Sequence, residues 1–395
     1  MKKRKSGFTL IELLAVIVIL AIIALISTPI IIGVIEKARK KAFEDSAYGI
    51  LDAGKTYFVD KLADMNKFEG AVFEFPEGGD LKVSGSKPAG GSLLLDTNGK
   101  QALAIYDIDK KWCAYKELEE EKVTIKDYKE EECQMPIIII GAAKTITDKN
   151  VPGNTEGLFA DDFGNIRYRG NDTVVKNYVT FNNEVWRIIG VFDGRVKLIR
   201  NERIQNLKEE SHTSYDFYWD TGNTNNWNTS DLQLYLNEKY WDSLLDDSKK
   251  MIGNMKYFLG GIQNTSIDKK AVYELERGTI VFNGRPTEWT GKIGLMYASD
   301  YGYAADKECQ EDLVNYTNAM CKNSNWILRT SYNQHTLTPS SISGNVVIYV
   351  GGLGDSKGYP SSLVAMGVHP TLYLKQTVKI TSGDGTISNP YQLSL

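Results

Sequence analysis

The hydrophobic pattern begins with a long apolar segment near the N-terminus. Residues 8–35 contain no Lys, Arg or Asp, and Glu12 is the one charged side chain among them. The segment is longer than the roughly 20 residues that a helix needs to cross a bilayer. It is also longer than the apolar core of about 7–15 residues in a cleaved secretory signal. The pattern therefore predicts a membrane-spanning helix over about 8–35.

The helical apolar spacing continues beyond this segment. Apolar residues such as Ala42, Leu51 and Phe58 recur at roughly helical intervals as far as Leu62, with charged residues between them. We therefore expect one continuous helix over 8–62. At 1.5 Å per residue it would form a stem roughly 80 Å long.

Short apolar segments follow the stem and alternate with turn sequences. The segments "AVFEF", "SLLLD", "ALAIYD" and "KVTIKDY" predict strands, and "PEGGD", "SGSKPAGG" and "DTNGK" predict turns. They indicate a small β-sheet head over 63–135. Residues 136–157 are interpreted as a junction in which "MPIIIIGAAK" forms one apolar strand.

A second, strand-rich module is predicted over 158–395. Its clearest hairpin signal is Asp193-Gly194, between the apolar segments "YVTFNNEVWRIIGVF" and "RVKLIRN". Thr229 or Ser230 is a candidate N-cap for a short helix, and "GKIGLMYASDYGYA" predicts a strand followed by a loop. The fold class is therefore α+β: a long N-terminal helix, a small β head and a larger β-rich C-terminal module.

Charge and cysteines indicate where the chain lies. Residues after about 36 are expected outside the cytoplasm, because four cysteines in a large exterior portion fit disulfides. Without the four leader cations, 42 Lys and Arg stand against 50 Asp and Glu, a net charge of −8, which disfavours nucleic acid as the main partner. The four leader cations, which place the N-terminus in the cytoplasm, are Lys2, Lys3, Arg4 and Lys5.

The four cysteines allow three disulfide connectivities. Sequence proximity favours Cys113–Cys133 and Cys309–Cys321, each within one predicted domain. Zinc is disfavoured because the spacings are much wider than Cys-x2-Cys.

Candidate catalytic chemistry is sparse, and we expect no enzyme activity and no required cofactor. Of the three histidines, His212 and His335 are expected in solvated loops and His369 in packing. Calcium is a candidate ligand because two loops place side-chain oxygens near glycines, although plain turns are the favoured interpretation. These loop residues are Asp161, Asp162 and Asn165 in the first, and Asp384 and Thr386 in the second.

The stretch "SYDFYWDTGNTNNWN" combines aromatic and polar residues. Such side chains suit a sugar-binding or protein-binding surface, and they equally suit the core of a β-rich domain. Core packing is the favoured interpretation for Trp227. The candidate ligand-binding residues are Tyr215, Phe217, Tyr218 and Trp219.

The N-terminal stretch "SGFTLIELLAVIVILAIIALISTP" resembles the type IV prepilin signature. The resemblance implies that a prepilin peptidase cuts between Gly7 and Phe8 and methylates the new amine of Phe8. It also implies that Glu12 guides assembly by pairing with the Phe8 amine of a neighbouring subunit, and that the helix loosens at Pro29 in the filament. The alternatives are an ordinary Glu at a membrane edge and a passive kink at proline.

The phrases "NYVTFNNEVWRIIGV", "WNTSDLQLYLN", "IGLMYASDYGYA" and "GDGTISNPYQL" resemble a module of bacterial surface proteins that carries no assigned function. Its strand pattern is similar to that of C-type-lectin-like folds. Taken together, the two resemblances favour a minor or tip pilin with an adhesive C-terminal module, first in the cytoplasmic membrane and then in a surface filament. Its partners would be other pilin subunits, the prepilin peptidase, the assembly platform and a host or cell-surface ligand. The alternatives are a major pilin, a pseudopilin of a secretion or DNA-uptake system, and a pilin-anchored hydrolase.

Overall fold

The computed structural model describes residues 10–65, 68, 70–83, 87–130, 132–134, 139–205 and 216–395. The chain divides into two compact units, Met1–Pro136 and Ile137–Leu395. Each unit has its own cluster of buried apolar side chains. We call them the stem–head unit and the C-terminal unit.

Helix α1 (Leu10–Met65) has 56 residues and two different environments. From Leu10 to Ile35 its large apolar side chains are exposed on all sides. Further along, Ala47, Ile50 and Leu51 are buried against the head. Among the described residues, α1 is the one helix long and apolar enough to cross a membrane, and its best 18-residue window has a mean hydropathy of 3.1.

The head is an antiparallel meander in which each strand pairs with the next. Between β2 and β3 the chain turns at Asp96, whose carboxylate accepts hydrogen bonds from the backbone N–H groups of Asn98 and Lys100. Leu93, Leu103 and Ile105 line the buried face of the sheet with the outer half of α1. The strands are β1 (Ala71–Phe75), β2 (Gly90–Leu95), β3 (Gln101–Tyr106), β4 (Trp112–Lys116) and β5 (Thr124–Asp127).

Gly54 lets α1 approach the sheet closely. A Cβ added there would lie 2.4 Å from Nε2 of Gln101 and 2.8 Å from a methyl group of Leu93. The Gln101 amide cannot move away freely, because it donates a hydrogen bond to the carbonyl of Leu51 at 2.8 Å. A glycine that weakens the helix locally is therefore required by the packing of the helix on β3.

The C-terminal unit contains two larger sheets and one two-stranded sheet. In its described part, the main sheet has the order β14-β19-β10-β9-β8-β21-β20, with β7 pairing β9 and β6 pairing β7. The last strand, β21, runs parallel to β8, so the chain end is held inside the sheet. The second sheet has the order β11-β18-β15-β16-β17, and β12 pairs β13. The strands are β6 (Leu158–Ala160), β7 (Ile166–Tyr168), β8 (Tyr178–Phe181), β9 (Glu184–Phe192), β10 (Arg195–Arg200), β11 (Asp216–Phe217), β12 (Met255–Phe258), β13 (Glu288–Gly291), β14 (Ile293–Gly294), β15 (Gln334–Pro339), β16 (Val346–Val350), β17 (Ser356–Pro360), β18 (Met366–Gly367), β19 (Thr371–Tyr373), β20 (Lys379–Ser382) and β21 (Tyr391–Ser394).

Two local predictions for this unit are confirmed. β9 and β10 are joined at Asp193 and Gly194, which both have positive φ, as a tight hairpin turn requires. Ser230 is the N-cap of α3, because its hydroxyl accepts the N–H of Gln233 at 3.2 Å. The helices of the unit are α2 (Gly141–Asp148), α3 (Asp231–Tyr235), α4 (Trp241–Ser243), α5 (Asp246–Met251), α6 (Lys269–Glu276), α7 (Ala298–Ala304) and α8 (Ala319–Lys322).

Two other segments differ from their prediction. The junction predicted over 136–157 contains α2, and "GAAK" begins this helix instead of ending a strand. Ala142, Ala143 and Ile146 face the core at helical spacing, so α2 belongs to the C-terminal unit. The loop predicted within "ASDYGYA" is helix α7, and all of its residues are buried.

Four charged side chains form a buried cluster between β7, β10 and α7. Arg167 pairs with Asp161 at 2.5 Å and with Asp300 at 2.9 Å, and Lys197 pairs with Asp300 at 2.5 Å. Each side chain is at most 1% exposed. Burial by itself would raise the pKa of Asp300, but the attraction of Lys197 and Arg167 outweighs it and lowers the pKa to about 2. Two cations and two carboxylates leave the cluster neutral, as the interior requires.

His335 lies in the core and not in a solvated loop, which corrects the prediction. It is part of strand β15, and its Nε2 lies 2.6 Å from the carbonyl oxygen of Phe217. His369 is buried, as expected, between the hydroxyl of Tyr332 and the carbonyl of Arg200. Burial lowers the pKa of His335 to about 4 and that of His369 to about 3. His212 lies outside the described residues.

The structure joins the four cysteines as Cys113–Cys133 and Cys309–Cys321. The first disulfide lies in the stem–head unit, where both cysteines are buried. The second closes a loop of the C-terminal unit that contains Gln310 and is preceded by Lys307.

Gly54→Ala should destabilise the stem–head unit by about 1–3 kcal/mol, because overpacking against Gln101 and Leu93 outweighs the helix propensity of alanine. The measurement is urea unfolding in detergent. Gly33→Ala is the matched control, because no atom lies within 4 Å of a Cβ at that position. Equal midpoints for the two variants would contradict the close approach at Gly54.

Asp300→Asn should lower the free energy of unfolding of the C-terminal unit by about 3–5 kcal/mol. In this variant Asp161 would be the one carboxylate of the cluster left to compensate the buried charges of Lys197 and Arg167. Urea unfolding followed by tryptophan fluorescence measures it. Asp247→Asn, which removes an exposed partner of Lys250, is the control and should leave the midpoint unchanged. A wild-type midpoint for Asp300→Asn would refute the stabilising role of the cluster.

Acidification from about pH 6 to pH 4 should destabilise the C-terminal unit through His335 and His369. Both folded pKa values lie below the ordinary histidine value near 6.5, so the unfolded chain binds more protons in this window. For each histidine, the free energy of unfolding then decreases by about 1.4 kcal/mol for every unit by which the pH is lowered. Urea midpoints at several pH values test this slope. His335→Gln should flatten it; an unchanged slope in His335→Gln would contradict the assignment.

Candidate assembly site on the N-terminal helix

Glu12 lies in the first turn of α1 as described. It is exposed, and so are its apolar neighbours Ile11 and Leu13. A carboxylate within an apolar surface is costly to place in a membrane, and such groups normally mark a functional contact. Gly7 and Phe8, the predicted cleavage and methylation residues, lie outside the described residues.

Pro29 lies inside α1, which continues through it without a break. Proline removes one backbone donor from the helix. At the preceding residue, the hydroxyl of Thr28 donates to the carbonyl of Ala24 at 2.6 Å, a contact that often bends helices. The loosening of the helix at Pro29 in a filament stays a prediction.

Small side chains lie on the same stretch of α1 as Pro29. Ala21, Ala24, Thr28 and Gly33 line a shallow depression along the helix. Small residues allow helices to approach closely inside a membrane or a helical bundle.

Near the head, Glu36 pairs with Lys111, which lowers the pKa of Glu36 by hydrogen bonding. Both side chains are about half exposed, so this pair contributes little to stability.

The predicted aromatic ligand surface is largely a core feature. Phe217 is buried at 5% exposure, and Trp219 is fully buried with its indole N–H donated to the carbonyl of Thr336. Trp227 packs against Trp219 at 5.4 Å between ring centroids, as the core interpretation expects. The prediction is therefore wrong for Phe217 and Trp219. Tyr218 is 45% exposed and stays a candidate; Tyr215 lies outside the described residues.

The two acidic loops form turns that use their own carboxylates. Asp161 accepts the N–H groups of Phe163 and Asn165 and pairs with Arg167. Asp384 accepts the N–H and the hydroxyl of Thr386. Within the described residues, no group of three or more His, Cys, Asp or Glu side chains is arranged to hold a metal ion.

A pocket that sequence analysis did not identify opens beside α7 in the C-terminal unit. Its volume is about 230 Å³. The cations come from three segments separated by tens of residues, so no local motif signals the site. We name it the cationic pocket; its main lining residues are Phe159, Asp162, Arg169, Lys269, Tyr303 and Lys307.

Comparison with known proteins assigns the N-terminus. Residues 2–28 match the family model of the prokaryotic N-terminal methylation motif. No curated protein and no solved structure matches the chain, and the similarity of the C-terminal unit to bacterial surface modules stays a prediction. The matched motif and the long apolar helix that contains most of it support a type IV pilin-like protein.

Proposed function

We propose that the chain is a minor or tip subunit of a type IV pilus or pilus-like filament, and that its C-terminal unit mediates adhesion. The observation that carries the proposal is the exposure of apolar side chains on every side of α1 from Leu10 to Ile35. Such a surface is not stable in water. It fits the bilayer before assembly and the helices of neighbouring subunits afterwards.

Glu12 would give assembly its direction. In this proposal the prepilin peptidase cuts after Gly7 and methylates the new amine of Phe8. The Phe8 amine of one subunit then pairs with Glu12 of its neighbour. Opposite charges attract strongly where water is excluded, so a subunit would leave the membrane only beside a subunit already in the filament. A neutral residue at position 12 would remove this attraction.

The size of the C-terminal unit favours a minor or tip position. It spans Ile137–Leu395, whereas the head is built on five short strands. Repetition of so large a unit on every subunit would crowd the filament surface. Adhesion is supported by the exposed Tyr218 and by the cationic pocket, which give this unit polar and aromatic contact groups.

Immunogold microscopy of sheared filaments, with antibody against residues 158–395, tests the position. Label at tips or at sparse points is expected. Dense label along the shaft would make the chain a major pilin. Signal confined to the membrane would favour a pseudopilin or an anchored surface protein and contradict the proposal.

Glu12→Gln tests assembly in the same fractions. We expect about tenfold less of the variant in sheared filaments, which corresponds to roughly 1.4 kcal/mol, while its precursor is still cleaved as judged by the intact mass. Glu44→Gln is the matched control, since Glu44 lies on α1 beyond the apolar segment and pairs with Lys41. Normal incorporation of Glu12→Gln would refute the role of this carboxylate.

A further inference from the structure

The cationic pocket has a rigid frame. Arg169 directly follows β7, Lys269 begins α6, and Tyr303 lies in the buried helix α7. α6 is fixed by its N-cap, because the carboxylate of Asp268 accepts the N–H of Ala271 at 2.9 Å. The lining side chains are therefore positioned by regular structure before any ligand arrives.

The disulfide loop forms one rim of the pocket. Lys307 and Gln310 line the pocket and lie on either side of Glu308 and Cys309. The ammonium of Lys269 donates to the carbonyl of Cys309 at 3.1 Å. Because Cys309 is bonded to Cys321, this contact holds the rim against the start of α6.

Two of the three cations of the pocket, Arg169 and Lys269, are poorly compensated, whereas Lys307 lies 3.8 Å from Glu308. The guanidinium of Arg169 lies 4.1 Å from the ring centroid of Phe159. Within the part of the chain that the structure describes, no carboxylate lies within ion-pair distance of Arg169 or Lys269.

Burial lowers the pKa of Arg169 despite the attraction of Asp306. Burial and the repulsion by Arg169 lower the pKa of Lys269 despite the attraction of Asp162, Asp268 and Asp306. An incoming anion would supply the missing charge.

The two carboxylates that line the pocket, Asp161 and Asp162, already have partners. Asp161 is held by Arg167 in the buried cluster. Asp162 accepts a hydrogen bond from the hydroxyl of Tyr303 at 2.8 Å and is otherwise on the exposed side of the pocket. The site thus offers cations for an acidic group and, beside them, the acceptor oxygens of Asp162 for hydroxyl groups.

These features select the class of ligand. A guanidinium binds a carboxylate through two parallel hydrogen bonds, and an ammonium adds a point charge. The aromatic rings of Phe159 and Tyr303 supply apolar surface. At about 230 Å³ the pocket is smaller than the roughly 300–1,000 Å³ of sites for larger ligands. A single sugar ring that carries a carboxylate combines the acidic, hydroxyl and apolar groups in a small volume.

We propose that the cationic pocket binds the carboxylate of an acidic sugar, with Arg169 and Lys269 as its principal contacts and Asp162 as an acceptor for sugar hydroxyl groups. This deepens the proposed adhesive function, and as a biological role it rests on that function. The binding itself is a property of the folded chain and is measured without filaments.

The experiment is saturation-transfer NMR on the full-length chain in detergent, with D-glucuronate and D-glucose observed directly and inorganic phosphate, which has no observable proton, added as a competitor of glucuronate. Glucuronate is expected to bind with a Kd of about 1 mM, and glucose and phosphate at least about tenfold more weakly, because glucose lacks the acidic group and phosphate lacks the sugar ring. Equal binding of phosphate and glucuronate would overturn the sugar assignment. Absence of glucuronate binding would overturn the site.

Arg169→Met and Lys269→Met should each weaken glucuronate binding about tenfold. Lys270→Met is the matched control, since Lys270 is the exposed neighbour of Lys269 and does not line the pocket. Lys307 is an exposed lining residue. Lys307→Met should therefore also weaken glucuronate binding, and it can be tested even if Lys269→Met fails to fold. Equal affinities for Arg169→Met, Lys307→Met and Lys270→Met would refute the proposed contacts.

Different results would refute the filament proposal and the pocket proposal. Glucuronate binding by a chain that never enters filaments would refute the filament proposal and leave the pocket standing. Filament label without glucuronate binding would refute the pocket and leave the subunit role standing.

Discussion

The need to cover the apolar half of α1 governs the rest of the molecule. About 25 cal/mol is gained for each Å² of apolar surface removed from water, and large apolar side chains from Leu10 to Ile35 lie uncovered on this helix. The outer half of the same helix is satisfied within its own unit, where Ile50 and Leu51 pack on the sheet. The C-terminal half of α1 is therefore covered by the head of the same chain, whereas the N-terminal half needs a bilayer or other helices to cover it.

Sequence analysis succeeded where the signal is local. The apolar segment around Glu12 and the helical spacing up to Leu62 predict α1, because periodicity over many residues averages out single exceptions such as Gly54. The hairpin at Asp193 and Gly194 and the cap at Ser230 depend on the conformational preferences of one or two residues. The N-terminal motif was equally local, and the family model matched it.

Long-range contacts decided the points at which sequence analysis failed. Trp219 and His335 lie in polar sequence surroundings, yet both are buried in the fold, where Trp219 contacts Thr336 of β15 and His335 is part of that strand. Arg167 and Asp300 are 133 residues apart and meet only in the fold. The cationic pocket has the same origin, since its charges come from β7, α6 and the loop after α7. No spacing rule along the chain can find such groups before the topology is known.

The Cys309–Cys321 bond links the pocket to the compartment in which the chain matures. Disulfides form outside the reducing cytoplasm, whereas the prepilin motif implies that the N-terminus is processed at the cytoplasmic face. The carbonyl that accepts from Lys269 belongs to Cys309 itself, so the disulfide lies directly beside this contact. In the proposed function, the unit would leave the cytoplasm before the bond behind this rim forms, so acidic sugars inside the cell would meet the pocket without its disulfide.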